Sequence, residues 1–166
     1  FIRASMDYDG PMIIRIDRAG SPNVYAEDYE LEIGKAIQLL EGKDATIISC
    51  GSNLYECLMA AKMLKEELGL SIEILDMHTV KPLDKEAIIR AANKTGNVVT
   101  VEDHSINGGL GGAVAEVLCE AGYKGNFKRI GMPDEFAVLG AVDDIYHYYG
   151  MDRHGIVKEL RKMLGK

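Results

Sequence analysis

The chain has 166 residues, 26 acidic and 19 basic, for a net charge of −7. Hydrophobic residues make up 47% and charged residues 27%, a globular balance that excludes intrinsic disorder. The length is that of one domain able to bury a core without staples, and an acidic chain without a basic patch is a poor binder of nucleic acid.

No apolar run approaches the ~20 residues that span a bilayer, so no membrane partner is expected. The three cysteines, Cys50, Cys57 and Cys119, show no metal-ligand spacing. Their odd number argues against a disulfide framework. The expectation is a reducing, cytoplasmic setting without a signal peptide. The chain starts at Phe1 rather than at a methionine, which is expected either of a processed protein or of a piece of a longer one.

In chain order, Met12–Ile16 is a short apolar strand candidate. The turn pair Gly10-Pro11 precedes it and Ala-Gly-Ser-Pro, at 19–22, follows it. Residues 23–43 read as a linker, with an acidic stretch over Tyr25–Glu32 and a weakly amphipathic patch over Ile33–Leu40. Asp44–Cys50 predicts a buried strand, broken by Gly51-Ser52. Asn53–Leu68 predicts an amphipathic helix with apolar residues at 54, 57, 58, 61, 64 and 68, ended by Gly69. Ser71–Met77 is the next strand, and Pro82-Leu83-Asp84 opens a helix to about Asn93. Asn97–Val101 is a third strand, Gly108–Gly112 a glycine loop, and Ala113–Ala121 a helix closed by Gly122. Phe127–Ile130 is a fourth strand; Ile145–Tyr149 and Asp152–Leu164 are helical, interrupted by Gly150.

Strands and helices alternating with such short connections require crossover units and a mostly parallel sheet. Near-continuous apolar strands call for helices on both faces. The predicted fold is α/β, a three-layer α/β/α sandwich over residues 44–166. Residues 1–22 read as part of another unit, because their strand has no helix partner.

Ligands of an open parallel sheet bind beyond the carboxyl ends of its strands. Four stretches lie there: Cys50–Ser52, Met77–Lys81, Glu102–Ser105 and Gly131–Asp134. The third is the richest. Gly108, Gly109, Gly111 and Gly112 open a helix whose amides could point at an anion. They form neither a dinucleotide fingerprint, since Val114 stands where a glycine is needed, nor a P-loop. The alternative is that these glycines let the helix pack closely on the sheet or make room for a neighbouring chain. Glu102, Asp103 and His104 could form an acid/base group, or else a polar strand-end or interface cluster. No nucleophile or metal partner accompanies them. Arg15 and Arg18 flank the end of the first strand candidate. Arg18 could grip a phosphate bidentately, or either arginine could serve an ion pair. The residues alone give no complete catalytic constellation.

Several strings resemble the transketolase family in order. Val99–Glu116 and Ile74–Asp84 resemble its C-terminal domain. Tyr8–Arg18 resembles the last strand of its middle, pyrimidine-binding domain, and Gly150–Ile156 the start of its final helix. The run Glu102-Asp103-His104-Ser105 is similar to the split transketolases of archaea and some bacteria. Deoxyxylulose-phosphate synthases carry Glu and Asn where Asp103 and His104 stand, and Pro before the second arginine; Asp17 stands there here. The resemblance implies domains at 1–22 (tail of the middle domain), 23–43 (linker) and 44–166 (C-terminal domain). It implies a cytoplasmic, thiamine-diphosphate-dependent transferase of the pentose phosphate pathway, which moves a two-carbon ketol unit between sugar phosphates. Thiamine diphosphate and Mg2+ would be held elsewhere, since the family's Gly-Asp-Gly…Asn motif is absent, and this fragment alone would bind neither.

The resemblance assigns no catalytic residue and no metal ligand to this chain. It makes Arg18, and less directly Arg15, the substrate-phosphate residues. Glu102 to Gly112 would lie near a homodimer interface. The implied partners are an N-terminal transketolase portion or subunit, a second copy of the full enzyme, and sugar phosphates. Two other readings stay open: the C-terminal part of a deoxyxylulose-phosphate synthase, and a stand-alone α/β module binding an anion or a partner.

Overall fold

A computed structural model describes residues 1–18, 20–25, 29 and 31–166. Ala19 of the predicted turn, and residues 26–28 and 30 of the acidic stretch, lie outside the described residues. A short helix α1 (Ile2–Met6) begins the chain. The sheet contains β1 (Ile37–Leu40), β2 (Ala45–Ser49), β3 (Ile72–Asp76), β4 (Asn97–Ser105) and β5 (Asn126–Met132) in the spatial order β1-β3-β2-β4-β5. Only β1 is antiparallel, and it pairs with β3. The helices are α2 (Asn53–Leu68), α3 (Lys85–Thr95), α4 (Leu110–Glu120), α5 (Val142–Tyr149) and α6 (Arg153–Met163).

The period of two along each strand sorts the core into two layers. Ile47, Ile74 and Val99 face one side, where they pack with Leu64 of α2 and Leu160 of α6. Ile48, Leu75 and Val98 face the other, against Ile88 of α3 and Val114 of α4. Helices thus cover both faces, as the three-layer sandwich requires. The helix ends follow local chemistry. Gly69 closes α2 in the left-handed conformation. Asp84 and Asp152 cap α3 and α6, accepting from the amides of Ala87 (3.0 Å) and Gly155 (2.8 Å).

Several elements differ from the sequence reading, among them the unpredicted helix α1 and an α5 that starts at Val142 rather than Ile145. Met12–Ile16 forms no strand: Ile13 is 98% exposed and Ile16 77%. An extended segment becomes a strand only when a neighbour completes its hydrogen-bond ladder, and no described segment does so. Ile37–Leu40, read as linker, is an edge strand with a bulge. β4 runs on past Val101 to Ser105, irregularly, because β5 is longer than predicted and pairs Met132 with Ser105.

Candidate functional site

The connection from β2 leads to β3 on one side, and the next strand, β4, lies on the other. The crevice beyond the carboxyl ends of β2 and β4 is therefore the topological switch point, the ordinary ligand position in such sheets. Alternation along β4 points Glu102 to the same face as Val98, under the start of α4. Its carboxylate accepts from the amide of Leu110 (2.6 Å) and from that of Gly111 (2.8 Å). The anion at this helix N-terminus is the protein's own side chain. Burial raises the Glu102 carboxyl above the usual glutamate range, only partly offset by the two amides.

The glycines follow from that contact. A Cβ at Gly109 would collide with the Glu102 carboxylate. At Gly111 it would meet Thr100 Oγ1 at 2.7 Å and Glu102 Oε1 at 2.9 Å. Gly108 has φ +75, which suits glycine in this turn. At Gly112 nothing stands closer than the Ile106 carbonyl, at 3.9 Å. Gly109 and Gly111 are sites of close helix-on-sheet packing, and an exogenous anion would have to displace Glu102.

Asp103 and His104 lie at the end of β4 and do not form an acid/base pair with Glu102. The His104 ring contacts its neighbour's carbonyl through Nδ1 (2.9 Å to Ser105 O) and is exposed. Asp103 receives Arg15, whose Nη1 donates to the Asp103 carbonyl (2.7 Å) while Nη2 lies 3.5 Å from its carboxylate. Arg15 is thereby engaged in anchoring the N-terminal arm to the sheet. Arg18 is exposed and makes no hydrogen bond or ion pair among the described residues.

Three residues that sequence reasoning did not single out as site residues join this end of the sheet. Asp76, at the tip of β3, is 3% exposed. It accepts a hydrogen bond from the Tyr25 hydroxyl, and its Oδ1 is buried without a partner among the described residues. Burial raises its carboxyl to about 6, against the Tyr25 phenol, which favours the ionised form. The Tyr25 phenol itself is pushed well above its usual range by the same burial and by Asp76. Cys50, at the end of β2, is pushed up to about 12 by burial and then by Asp76 and Glu102, so it is no thiolate nucleophile. The only prior signal for Asp76 was its position at a strand tip. Tyr25 carried none, because its partner is 51 residues away. On α5, Tyr146 meets Ser52 Oγ through its hydroxyl (2.9 Å).

The arm thus touches β3 through Tyr25 and β4 through Arg15. Phe1 also packs edge-on to His78, with ring centroids 5.4 Å apart. The crevice is a seam between arm and sheet, built from polar groups of this chain. The described residues contain no helix long and apolar enough to cross a membrane.

This architecture has clear relatives. The family model for the transketolase C-terminal domain matches residues 34–156. The chain is 42% identical to one of the subunits of an apulose-4-phosphate transketolase from Phocaeicola vulgatus, over 99% of this chain and 52% of that one. It is 38% identical to a 1-deoxy-D-xylulose-5-phosphate synthase of Parabacteroides distasonis, over 93% of this chain and 25% of that enzyme. A solved structure titled split gene transketolase, inactive beta4 tetramer, superposes with a TM-score of 0.80 at 39% identity, covering 89% of this chain and 47% of the other. The chain spans about half the length of the transketolase subunits it matches. With the five-stranded sheet and its flanking helices, these matches establish that the chain belongs to the transketolase C-terminal domain family.

Proposed function

We propose that this chain is the C-terminal part of a thiamine-diphosphate-dependent transketolase that moves a two-carbon ketol unit between sugar phosphates. The observation that carries the reading is the 42% identity with a transketolase subunit along 99% of the chain. The partner in this reading is the N-terminal portion or subunit, and the complete enzyme is a homodimer. The split-gene neighbour is a beta4 tetramer, and self-association of this chain is part of the same reading.

The residues present here do not fit the cofactor. No group of three or more His, Cys, Asp or Glu among the described residues could hold a metal ion. The glycine-rich helix start is closed by Glu102, and Gly-Asp-Gly is absent from the sequence. No chemical step is assigned to this chain, and by itself it is inactive. Its contribution is assembly and substrate grip. Arg18 carries a fixed charge on an arm that Arg15 anchors at the end of β4. A guanidinium with no partner among the described residues suits a sugar phosphate.

A second reading, the synthase of deoxyxylulose phosphate, is supported by the 38% identity noted above. One experiment separates the two. This chain, joined or mixed with its N-terminal portion, thiamine diphosphate and magnesium, is given xylulose 5-phosphate plus ribose 5-phosphate, and separately pyruvate plus glyceraldehyde 3-phosphate. Turnover of the first pair only is expected. Turnover of the second identifies a synthase, and silence with both favours a binding module. In the active enzyme, Arg18→Ala should raise KM for the phosphorylated acceptor roughly 10- to 100-fold, the value of a lost charged hydrogen bond. Cofactor affinity should not change; an unaltered KM removes Arg18 from the substrate site.

A further inference from the structure

Lys158, Lys162 and Lys166 serve neither the fold nor the seam. They line a groove of about 520 Å³ where α2 and α6 lie side by side. Val157 and Met63, at its floor, belong to the core beneath, so what the groove offers a ligand is charge. Arg161 and His154 add to the lysines, and Glu67 is the one carboxylate in the lining. In a chain of net charge −7 this is a local reversal of sign.

The cations are ordered. His154, Lys158 and Lys162 recur every four residues of α6 and so share one stripe. At the rise of an α-helix that stripe is about 12 Å long. The carboxylates around it are already committed. Glu67 receives Arg161, Glu159 receives Lys128 of β5, and Glu66 pairs with Lys62 along α2. Lys158, Lys162 and Lys166 have no ion-pair partner among the described residues. The Arg161 guanidinium is half used: Nη2 donates to Glu67, while Nε is buried without a partner among the described residues. Adjacent Nε and Nη2 protons form the fork that grips a phosphate through two oxygens. The helix dipole accounts for cations in the last turn of α6 but not for Lys158 in its middle, and its carbonyl end sets only about half a negative charge against the four cations.

We propose that this groove binds a short polyphosphate, a linear anion of two or more phosphate groups. A single phosphate would meet one or two of the cations, whereas a chain of them lies along the stripe. No aromatic residue lines the groove, so nothing there stacks on a base, and recognition is by charge and length.

The groove lies away from the crevice. α2 leaves the carboxyl end of β2 and ends just before β3 begins, so Glu67 stands toward the amino ends of the strands. Arg153 meets Glu56 and Arg161 meets Glu67, so α6 runs parallel to α2. The proposal does not depend on the reaction proposed above.

The test is calorimetric titration of this chain with sodium triphosphate at low (~0.05 M) and high (~0.5 M) salt, where screening differs most. Binding is expected at low salt and should weaken at high salt. Lys158→Gln with Lys162→Gln should weaken it at least about tenfold, the value of a lost charged hydrogen bond. Lys81→Gln with Lys124→Gln, an equal change of charge outside the groove, should leave it unchanged. Glu67→Gln removes the carboxylate that competes for Arg161 and should tighten binding, a gain that a damaged fold would not give. Circular dichroism checks that each variant is folded. Pyrophosphate and ADP separate an inorganic ligand from a nucleotide, and the two should bind equally. No heat with the wild type, a control pair that loses as much as the groove pair, or a Glu67→Gln variant that binds no more tightly overturns the proposal. So does ADP binding about tenfold more tightly than pyrophosphate, which would show that the groove reads a nucleoside.

Discussion

At the start of α4 a buried glutamate takes the place that a bound anion holds at other glycine-rich helix starts. Gly111 is the price of that arrangement, and its substitution gives a sign test. Gly→Ala within a helix ordinarily stabilises by about 1 kcal/mol. Here the new methyl would press on Thr100 and Glu102, and overpacking of this kind costs ~1–3 kcal/mol. Urea unfolding of Gly111→Ala should show a lower midpoint, while Gly112→Ala, with room around it, should be neutral or slightly stabilising. A raised midpoint for Gly111→Ala would mean that α4 yields freely. Asp76 offers a second test. Its folded value of about 6 lies above the ordinary 3.8, so the folded state binds the proton more tightly. The stability it contributes is fully present below about pH 4 and is lost as pH rises through 6, to the extent of about 3 kcal/mol for two units. Asp76→Asn should remove that decline, seen as a flatter midpoint between pH 4 and 7. An unchanged pH slope would show that Asp76 does not titrate in this window.

At the scale of elements, capping decides where helices begin, and capping is local. Asp84 accepts from Ala87 of α3 and also from Ala36, just before β1 (3.0 Å each). Burial pushes its carboxyl up, but the two amides outweigh burial and hold it below the usual aspartate range. The sign is opposite to that of Asp76: the contribution is present at neutral pH and lost as pH falls through the folded value. Asp84→Ala should cost ~1–2 kcal/mol at pH 7, and the gap from wild type should close in acid. The helices of residues 53–163 were legible for this reason, since Asp84, Asp152, Gly69 and Gly150 mark their ends within a turn. Met12–Ile16 was not, because strand composition does not say whether a partner ladder exists. β1 was missed because four residues beside an acidic stretch carry too little alternation to separate an edge strand from a linker.

Across the whole molecule, the two core layers are opposite faces of one sheet, so neither persists when the other is lost. Ile88→Ala, on the α3 side, and Leu160→Ala, on the α6 side, each empty a fully buried position. Each should cost ~2–5 kcal/mol. Both should shift one cooperative transition, coincident by circular dichroism and tyrosine fluorescence; two separated transitions in either variant would show that the layers unfold independently. By itself the sequence determined the α/β class, the helices on both faces and the ends of most elements, because periods of two and 3.6 and the capping residues act within a few positions. Only the tertiary structure decided that Glu102 closes the helix it underlies, that Arg15 is tied to Asp103, and that Tyr25 covers Asp76. The Arg15 and Tyr25 contacts join residues 88 and 51 positions apart, and the Glu102 contact depends on which face of β4 lies under α4. Both are set by the route of the chain across the sheet rather than by any local pattern.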